Sequence, residues 1–190
     1  MTSLLELPAV RKRVPRMTVR EYHRAGETGI LSEDVELLRG IVVTKMPKSP
    51  LHELVAQKLM QILLVRVPKG FCVRPERPLT LRDSEPEPDL SVVRGKPDDW
   101  ANAHPRTAHL VVEVAVTSEP LDMGKAEIYA EAGVLEYWLV RPEDRTMDVD
   151  RKATREGYLS RITVTERDSV TCGSIPSVKF ALKDILPSRR

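Results

Sequence analysis

The sequence of 190 residues has only two cysteines, few aromatic residues and no apolar run long enough to span a membrane. Cys72 and Cys172 form neither a CxxC pair nor a zinc-binding spacing. Aromatic residues make up 4% of the chain, so the core must consist mostly of Leu, Val, Ile and Ala. In the opening MTSLLELPAVRKRVPR a short apolar patch precedes the charges, the wrong order for a secretory signal. These absences predict a cytoplasmic protein with free thiols.

Charge of either sign is not in large excess, because the formal net charge is only +2. That value is too small to indicate a polyanionic partner by itself. Hydrophobic residues make up 41% and charged residues 31%, the composition of an ordinary globular protein. We therefore expect one domain over residues 18–187, preceded by a basic and flexible arm over residues 1–17. The basic run VRKRVPR in this arm favours a frayed, solvated terminus over a nucleic-acid arm.

Hydrophobic periodicity and turn residues predict a mixed α/β (α+β) fold with a mixed central β-sheet flanked by helices. A short helix begins at Thr18 and should stop at Gly26, and Arg39-Gly40 marks a hairpin turn. Ser49 and Pro50 are typical of a helix start. The remaining predictions are an edge-like strand near residues 71–82, strands at 90–93, 109–116 and 135–141, a loop at 95–107, a helix at 121–133, an antiparallel pair at 146–165, and a short helical turn at 181–187.

The strand 109–116 is apolar on both faces, yet Glu113 lies in its middle. Alternation places Val111, Glu113 and Ala115 on one face, and a strand that is apolar on both faces is normally covered on both. Burying an unpaired carboxylate costs several kcal/mol, roughly. Glu113 must therefore reach a cleft, be protonated, pair with a cation or bind a metal, and a structural ion pair is at least as well supported as a metal.

Further chemical groups surround this acid in the sequence. Asp89 follows Pro88 at the start of an apolar strand, and the spacing between Asp89 and Glu113 suits adjacent strands. Asp122, Lys125 and Tyr129 share one face of the helix that follows the Glu113 strand. Two carboxylates with carbonyl, water and phosphate oxygens suit Mg²⁺. A nearby lysine can position an attacking water or stabilise developing phosphate charge.

Several segments together resemble a known family: VELLRG, EPDLSVVRG, HPRTAHLVVEVA, the D-x-x-K-x-x-x-Y pattern at 122–129, and AGVLEYWLV. Over about residues 17 to 187 the chain resembles the Uma-two-type predicted endonucleases, within the PD-(D/E)XK restriction-endonuclease-like superfamily. The resemblance implies that Asp89 of Pro88-Asp89 and Glu113 are metal ligands. The sequence departs from the superfamily pattern at Ala115, where the superfamily has its catalytic lysine. Lys125 on the next helix is therefore the candidate for that lysine.

The resemblance also implies further site residues. Glu36 matches the acid of the family's EL-x-x-G and would add a ligand or orient water, although a solvent-facing hairpin glutamate is equally well supported. The carbonyl of Val114 would be another ligand. His52 lies where the family often has histidine; a capping or packing role is favoured over a phosphate contact. Asp122 is either a partner of Lys125 or a helix N-terminal acid, and Tyr129 is expected mainly to pack.

Arginines near Asp89 could follow a phosphate backbone, although scattered surface arginines are the usual case. The candidates are Arg74, Arg77 and Arg94, with Arg82 nearby. The sequence excludes a Walker loop, because position 119 is Glu where the loop needs Gly. It contains neither a G-x-S-x-G elbow nor a dinucleotide fingerprint.

These observations and the resemblance predict a divalent-metal-dependent endonuclease that hydrolyses phosphodiester bonds, with DNA as the favoured substrate. Mg²⁺ would be the cofactor, with Mn²⁺ as a substitute. Cutting both strands of a duplex with one site per chain favours a homodimer. The alternative is a catalytically inactive nuclease-fold module for nucleic-acid binding or protein assembly.

Overall fold

The computed structural model describes residues 8–11, 13–116 and 119–189. The helices are α1 (Pro8–Arg11), α2 (Val19–Glu27), α3 (Pro50–Arg66) and α4 (Glu119–Glu131). The strands are β1 (Val35–Leu38), β2 (Ile41–Thr44), β3 (Phe71–Pro75), β4 (Leu90–Arg94), β5 (Leu110–Val114), β6 (Glu136–Arg141), β7 (Thr146–Thr154), β8 (Gly157–Thr165), β9 (Ser169–Thr171) and β10 (Lys179–Ala181).

A six-stranded sheet in the order β3-β4-β5-β6-β7-β8 forms the centre of the domain. β5 and β6 are parallel, while every other neighbouring pair in this sheet is antiparallel. The parallel pair needs a crossover connection, which α4 supplies. The predicted mixed sheet is therefore confirmed, as is the edge position of β3.

The two faces of the sheet carry separate apolar clusters, which explains why β5 is apolar on both sides. Val55, Leu59 and Leu63 of α3 pack with Leu110, Val112 and Val114 on one face. Ala126, Ile128 and Tyr129 of α4 pack with Val111 and Ala115 on the other. This alternation confirms the predicted faces of β5 and places Glu113 on the side of α4.

The predicted starts of α2 and α3 are confirmed, but α2 continues past its predicted end, and α4 begins and ends two residues earlier than the predicted 121–133. Thr18 caps α2 together with Glu21, and the Ser49 side chain accepts a hydrogen bond from the His52 backbone N–H. Gly26 lies inside α2, because a glycine in a helix costs only about 1 kcal/mol relative to alanine. The backbone N–H of Thr28 still bonds to the carbonyl of Arg24, beyond that glycine.

The hairpin of β1 and β2 turns at Arg39-Gly40, as predicted. Gly40 has φ +73°, and a Cβ there would lie 2.9 Å from Arg16 Cβ and 3.0 Å from the Met17 carbonyl oxygen. Only glycine fits both the backbone angle and this close approach. The Met17 N–H donates to the Gly40 carbonyl at 2.8 Å, so the end of the arm joins the hairpin. Residues 1–7 and 12 of the predicted arm lie outside the described residues.

The structure adds elements that the sequence pattern did not predict. β9 and β10 form a separate antiparallel pair of three residues each, too short to give a clear alternation. The predicted loop 95–107 contains a 3₁₀ turn at Pro97–Trp100, and the predicted C-terminal turn is a 3₁₀ turn at Leu182–Asp184. In the described part of the chain, no helix has the length and apolar character needed to cross a membrane.

Candidate active site

Asp89 and Glu113 meet where β4 begins and β5 ends. The two strands are antiparallel and Leu90 lies opposite Val112, so the next residues, Asp89 and Glu113, also lie side by side. The Asp89 N–H donates to Glu113 Oε2 at 3.3 Å, and the Val114 N–H donates to Asp89 Oδ2 at 2.8 Å. Both carboxylates are buried. The expected neighbouring-strand arrangement of the two acids is therefore observed.

Lys125 reaches this pair from α4. Its Nζ lies 3.0 Å from Glu36 Oε1, 3.3 Å from Glu113 Oε1 and 3.6 Å from Asp122 Oδ1. Burial alone would lower the pKa of Lys125, but the carboxylates of Glu113, Glu36 and Asp122 raise it above its ordinary value. Ala115 packs in the α4-side apolar cluster. The ammonium group thus comes from the helix and not from the strand position at which the superfamily carries lysine.

Glu36 is buried in the site, so the solvent-facing alternative for this residue is wrong. Leu37 forms a backbone bridge with Glu85, which docks the hairpin against the segment leading to Asp89. Glu36 Oε2 accepts a hydrogen bond from the Glu87 N–H at 3.2 Å, and Oε1 pairs with Lys125. Alternation alone could not show which hairpin face this segment covers.

Tyr129 and Asp122 support the same cluster. The fully buried Tyr129 donates its hydroxyl hydrogen bond to Glu113 Oε1 at 2.8 Å and also packs beside Tyr137. Tyr129 therefore combines the expected packing with a polar contact. Asp122 faces Lys125, in agreement with the predicted role as a partner of that lysine. Its backbone carbonyl accepts a hydrogen bond from the Tyr137 hydroxyl at 2.9 Å.

Asp89 has two partners of its own, a histidine and a lysine, which sequence reasoning did not assign. His52 Nε2 lies 2.9 Å from Asp89 Oδ2, and Lys48 Nζ lies 3.4 Å from Oδ1. Burial would raise the pKa of Asp89, but the hydrogen bond and charge of His52, the Val114 N–H and Lys48 lower it. The predicted capping or packing role does not fully describe His52. Ser49 caps the helix, and the ring of His52 contacts Asp89.

The loop between β2 and α3 supplies two lysines that sequence reasoning missed. Lys48 also pairs with Glu76 at 2.9 Å, and Lys45 Nζ lies 3.2 Å from Glu87 Oε1. Both lysines are partly exposed at the mouth of the site. The sequence feature that could have indicated these lysines is the KMPKS run directly before the helix that carries His52. Loops joining rigid elements are common locations for binding residues.

Acidic side chains outnumber lysines around the site. Burial raises the pKa of Glu113 to about 8; the charges of Asp89, Asp122 and Glu36 add to this effect, and Lys125 opposes it. The pKa values of Asp89 and Glu113 therefore move in opposite directions. Paired carboxylates with such divergent pKa values are typical of catalytic sites.

We predict a pH-dependent difference in stability between the wild type and Glu113→Gln in chelator. The pKa of Glu113 rises from 4.5 to about 8 on folding, so the folded protein binds this proton more tightly. The wild-type free energy of unfolding should therefore fall, relative to the variant, as pH rises through this window, by up to about 1.4 kcal/mol per pH unit. Urea unfolding at about pH 5, 6.5 and 8 measures the difference. A difference independent of pH would contradict this burial effect, and the exposed Glu156→Gln is the control.

A cavity of about 80 Å³ adjoins these side chains and leaves room for solvent. Its lining includes Asp89, Glu113, Val114, Lys125, Glu36 and His52, together with the two loop lysines. Among the described residues no group of three or more His, Cys, Asp or Glu side chains is arranged to hold a metal. Two carboxylates that leave the other positions to water and phosphate are nevertheless the usual protein contribution to an Mg²⁺ site. The donor set and its negative charge therefore fit Mg²⁺.

The candidate phosphate-binding arginines lie in different environments. Arg74 on β3 is buried; its guanidinium lies 3.2 Å from His104 Nδ1 and over the Trp100 ring. Arg74 is therefore not a scattered surface arginine. Arg77 is exposed in the connection after β3, near the Asp89 end of β4. Arg94 is exposed at the opposite end of β4, about 16 Å away along the strand. The structure does not bring the three together at the acids.

The fold and the paired acids define a nuclease-fold protein of the restriction-endonuclease-like class. A crystal structure of "a putative nuclease belonging to DUF820" from Anabaena variabilis ATCC 29413 superposes with a TM-score of 0.75. It is 18% identical, and the match covers 89% of this chain and 97% of that one, which establishes the shared fold. The Uma2 family model, described as "Putative restriction endonuclease", matches residues 20–183, so the chain belongs to that family. No curated protein matches the sequence.

Proposed function

We propose that this protein is a divalent-metal-dependent endonuclease that hydrolyses phosphodiester bonds in DNA. The observation that carries the proposal is the convergence of Asp89, Glu113 and Lys125 beside one solvent-accessible cavity. Family membership supports nuclease activity in general. Metal dependence rests on the chemistry of these side chains, and the choice of DNA as substrate rests on the family's description as restriction endonucleases.

Asp89 and Glu113 would hold Mg²⁺, or Mn²⁺ in its place, with the carbonyl of Val114 as a further ligand. When bound, the ion would polarise a phosphoryl oxygen and lower the pKa of water. Glu36 would orient water or add a carboxylate oxygen, since it already lies against Lys125. The acids that line the cavity outnumber its lysines, five to three, which favours a doubly charged ligand.

The protein's own groups would hold the acids in place and stabilise charge on the substrate. His52 and the Val114 N–H fix Asp89 Oδ2, while Tyr129 and Lys125 fix Glu113 Oε1. Lys125 can donate to a phosphoryl oxygen as negative charge develops there. Lys45 and Lys48, half-exposed at the mouth, would attract the phosphate backbone.

We further propose that DNA approaches from this mouth, with Arg77 contacting phosphates beyond the cavity. A cytoplasmic homodimer completes the proposal. It rests on the unpaired cysteines, Cys72 and Cys172, and on the need for two sites to cut both strands of a duplex.

A second candidate function is an inactive nuclease fold that binds nucleic acid or a protein partner. The observation in its favour is that the chain itself supplies partners for both acids, His52 and Lys48 for Asp89 and Lys125 for Glu113. The site can therefore be electrostatically satisfied in part by the chain alone. The two candidates differ in whether the protein cleaves DNA when Mg²⁺ or Mn²⁺ is added.

The purified protein is expected to convert supercoiled plasmid to nicked or linear DNA in Mg²⁺ or Mn²⁺. Chelator should stop the reaction, because the acids alone cannot neutralise the charge of the reacting phosphate. Agarose-gel time courses with plasmid and with single-stranded circular DNA measure the rates on both substrates. Absence of cleavage of either DNA in both metals would favour the inactive module, and RNA run in parallel tests the proposed preference for DNA.

A further inference from the structure

A second and larger cleft of about 670 Å³ lies beside α2 and the segment 100–106. It shares no lining residue with the cavity next to Asp89 and Glu113. Its volume falls within the range of small-molecule sites, about 300–1,000 Å³. The residues that matter for recognition are Glu85 and Thr80, the aromatic residues Tyr22 and Trp100, and His104 and Arg106.

A buried carboxylate, that of Glu85, is the most distinctive group of this cleft. Glu85 Oε1 lies 2.7 Å from His23 Nε2, and Oε2 accepts a hydrogen bond from Thr80 Oγ1 at 2.8 Å. Each carboxylate oxygen can accept a second hydrogen bond. Glu85 is therefore a positioned acceptor for a ligand with N–H donors.

Trp100 supplies a flat aromatic surface in the same cleft. The guanidinium carbon of Arg74 lies 5.9 Å from the Trp100 ring centroid and supports one face of the ring. Because His104 Nδ1 accepts from Arg74, its Nε2 carries the hydrogen and can donate. The wall thus combines stacking with polar contacts.

The rim of the cleft distinguishes between the parts of a nucleotide. Glu27 and Glu33 line it with negative charge, which disfavours a phosphate inside. Arg106 is exposed at the edge, where it can contact a phosphate that stays outside. A base can enter the cleft while the backbone remains on the surface, the usual arrangement for an unstacked base in a protein pocket.

The cleft is close enough to the candidate active site to act on the same strand. Glu85 precedes Asp89 by four residues, so their Cα atoms are at most about 14 Å apart. This distance corresponds to about four base steps at 3.4 Å each. A base held by Glu85 would therefore lie a few nucleotides from the phosphate that is cut.

We propose that this cleft binds an unpaired guanine base of the substrate, stacked on Trp100 and hydrogen-bonded to Glu85. Guanine offers two adjacent donors, N1–H and the N2 amino group, to the acceptor-only carboxylate. Thymine offers one N–H flanked by two carbonyl oxygens, which the carboxylate repels. The inference rests on the proposed function, because it assigns a base preference to the same nuclease.

Trp100 fluorescence tests the proposal directly, in chelator so that no cleavage occurs. Trp138, the second tryptophan, is fully buried and bonded to Glu136, so a bound base should quench Trp100 alone. Twelve-nucleotide oligo-dT with one central dG should bind about tenfold more tightly than oligo-dT. Glu85→Gln should reduce this preference to less than about twofold, Trp100→Phe should abolish the quenching, and the exposed control Glu156→Gln should change neither.

Three outcomes would overturn the inference. They are equal affinity for the two oligonucleotides, a guanine preference that survives in Glu85→Gln, and quenching by a lysine-rich peptide but not by DNA. If Glu85→Gln does not fold, Trp100→Ala is tested instead, with affinity measured by the anisotropy of a labelled oligonucleotide. An unchanged guanine preference in Trp100→Ala would contradict the proposal. Cleavage without base preference refutes only this inference, whereas base preference without cleavage refutes only the proposed nuclease activity.

Discussion

Replacing Lys125 with methionine is expected to lower the free energy of unfolding by about 3–5 kcal/mol. The substitution keeps an unbranched chain of similar length but removes the buried ammonium group that contacts Glu36, Glu113 and Asp122. Removing one partner from a buried ion cluster leaves the others uncompensated, which costs more than the contact itself contributes. Protonation of Glu113, whose pKa is already raised, should hold the loss toward the lower end of this range.

Urea denaturation in chelator measures this loss, and a thermal scan should show a midpoint lower by about 6–20 °C. The matched control is Lys69→Met, in the exposed connection between α3 and β3, which should change stability by less than about 0.5 kcal/mol. Adding Glu36→Gln to Lys125→Met should recover part of the loss, because one unpaired carboxylate is then removed. A loss below about 1 kcal/mol would show that water solvates these charged groups, as in a surface ion pair, and that they are not a buried ion cluster.

The parts of the site that lie on regular elements could be predicted from the sequence. A strand that is apolar on both faces had to be central, so its one carboxylate had to face a partner or a cleft. Helical spacing placed Asp122, Lys125 and Tyr129 on one face, and all three contact the cluster around Glu113. Local periodicity was sufficient here because β5 and α4 are consecutive in the chain and pack directly.

The parts that depend on contacts between distant segments could not be predicted. Nothing local indicates that the hairpin docks on residues 85–89, which is what buries Glu36. The same holds for the start of α3, where Ser49 explains the cap but not the contact of His52 with Asp89. Arg74 was expected among surface arginines, yet His104 and Trp100 cover its guanidinium. Long side chains follow tertiary packing more than strand periodicity.

Asp89→Asn is expected to reduce the proposed DNA cleavage by about 10³-fold or more, while the protein stays folded. A bound metal stabilises the transition-state charge by several kcal/mol, and each 1.4 kcal/mol corresponds to a factor of ten. Asparagine is isosteric and can still accept the hydrogen bond of the Val114 N–H through its carbonyl oxygen. It lacks the negative charge that the metal and Lys48 require. The loss should therefore appear in catalysis and metal binding far more than in structure.

Two measurements separate this role from a structural one. At a hundredfold excess over its Kd, Mn²⁺ should stabilise the wild type by about 2.7 kcal/mol, raising its thermal midpoint by about 5–11 °C. Asp89→Asn should lose this shift, whereas Asp144→Asn, in the exposed turn between β6 and β7, should keep both the shift and the cleavage rate. Equal metal stabilisation of wild type and Asp89→Asn would remove Asp89 from the ligand set. Cleavage that persists both in Asp89→Asn and in chelator would instead identify a contaminating nuclease, because that activity would need neither the carboxylate nor the ion.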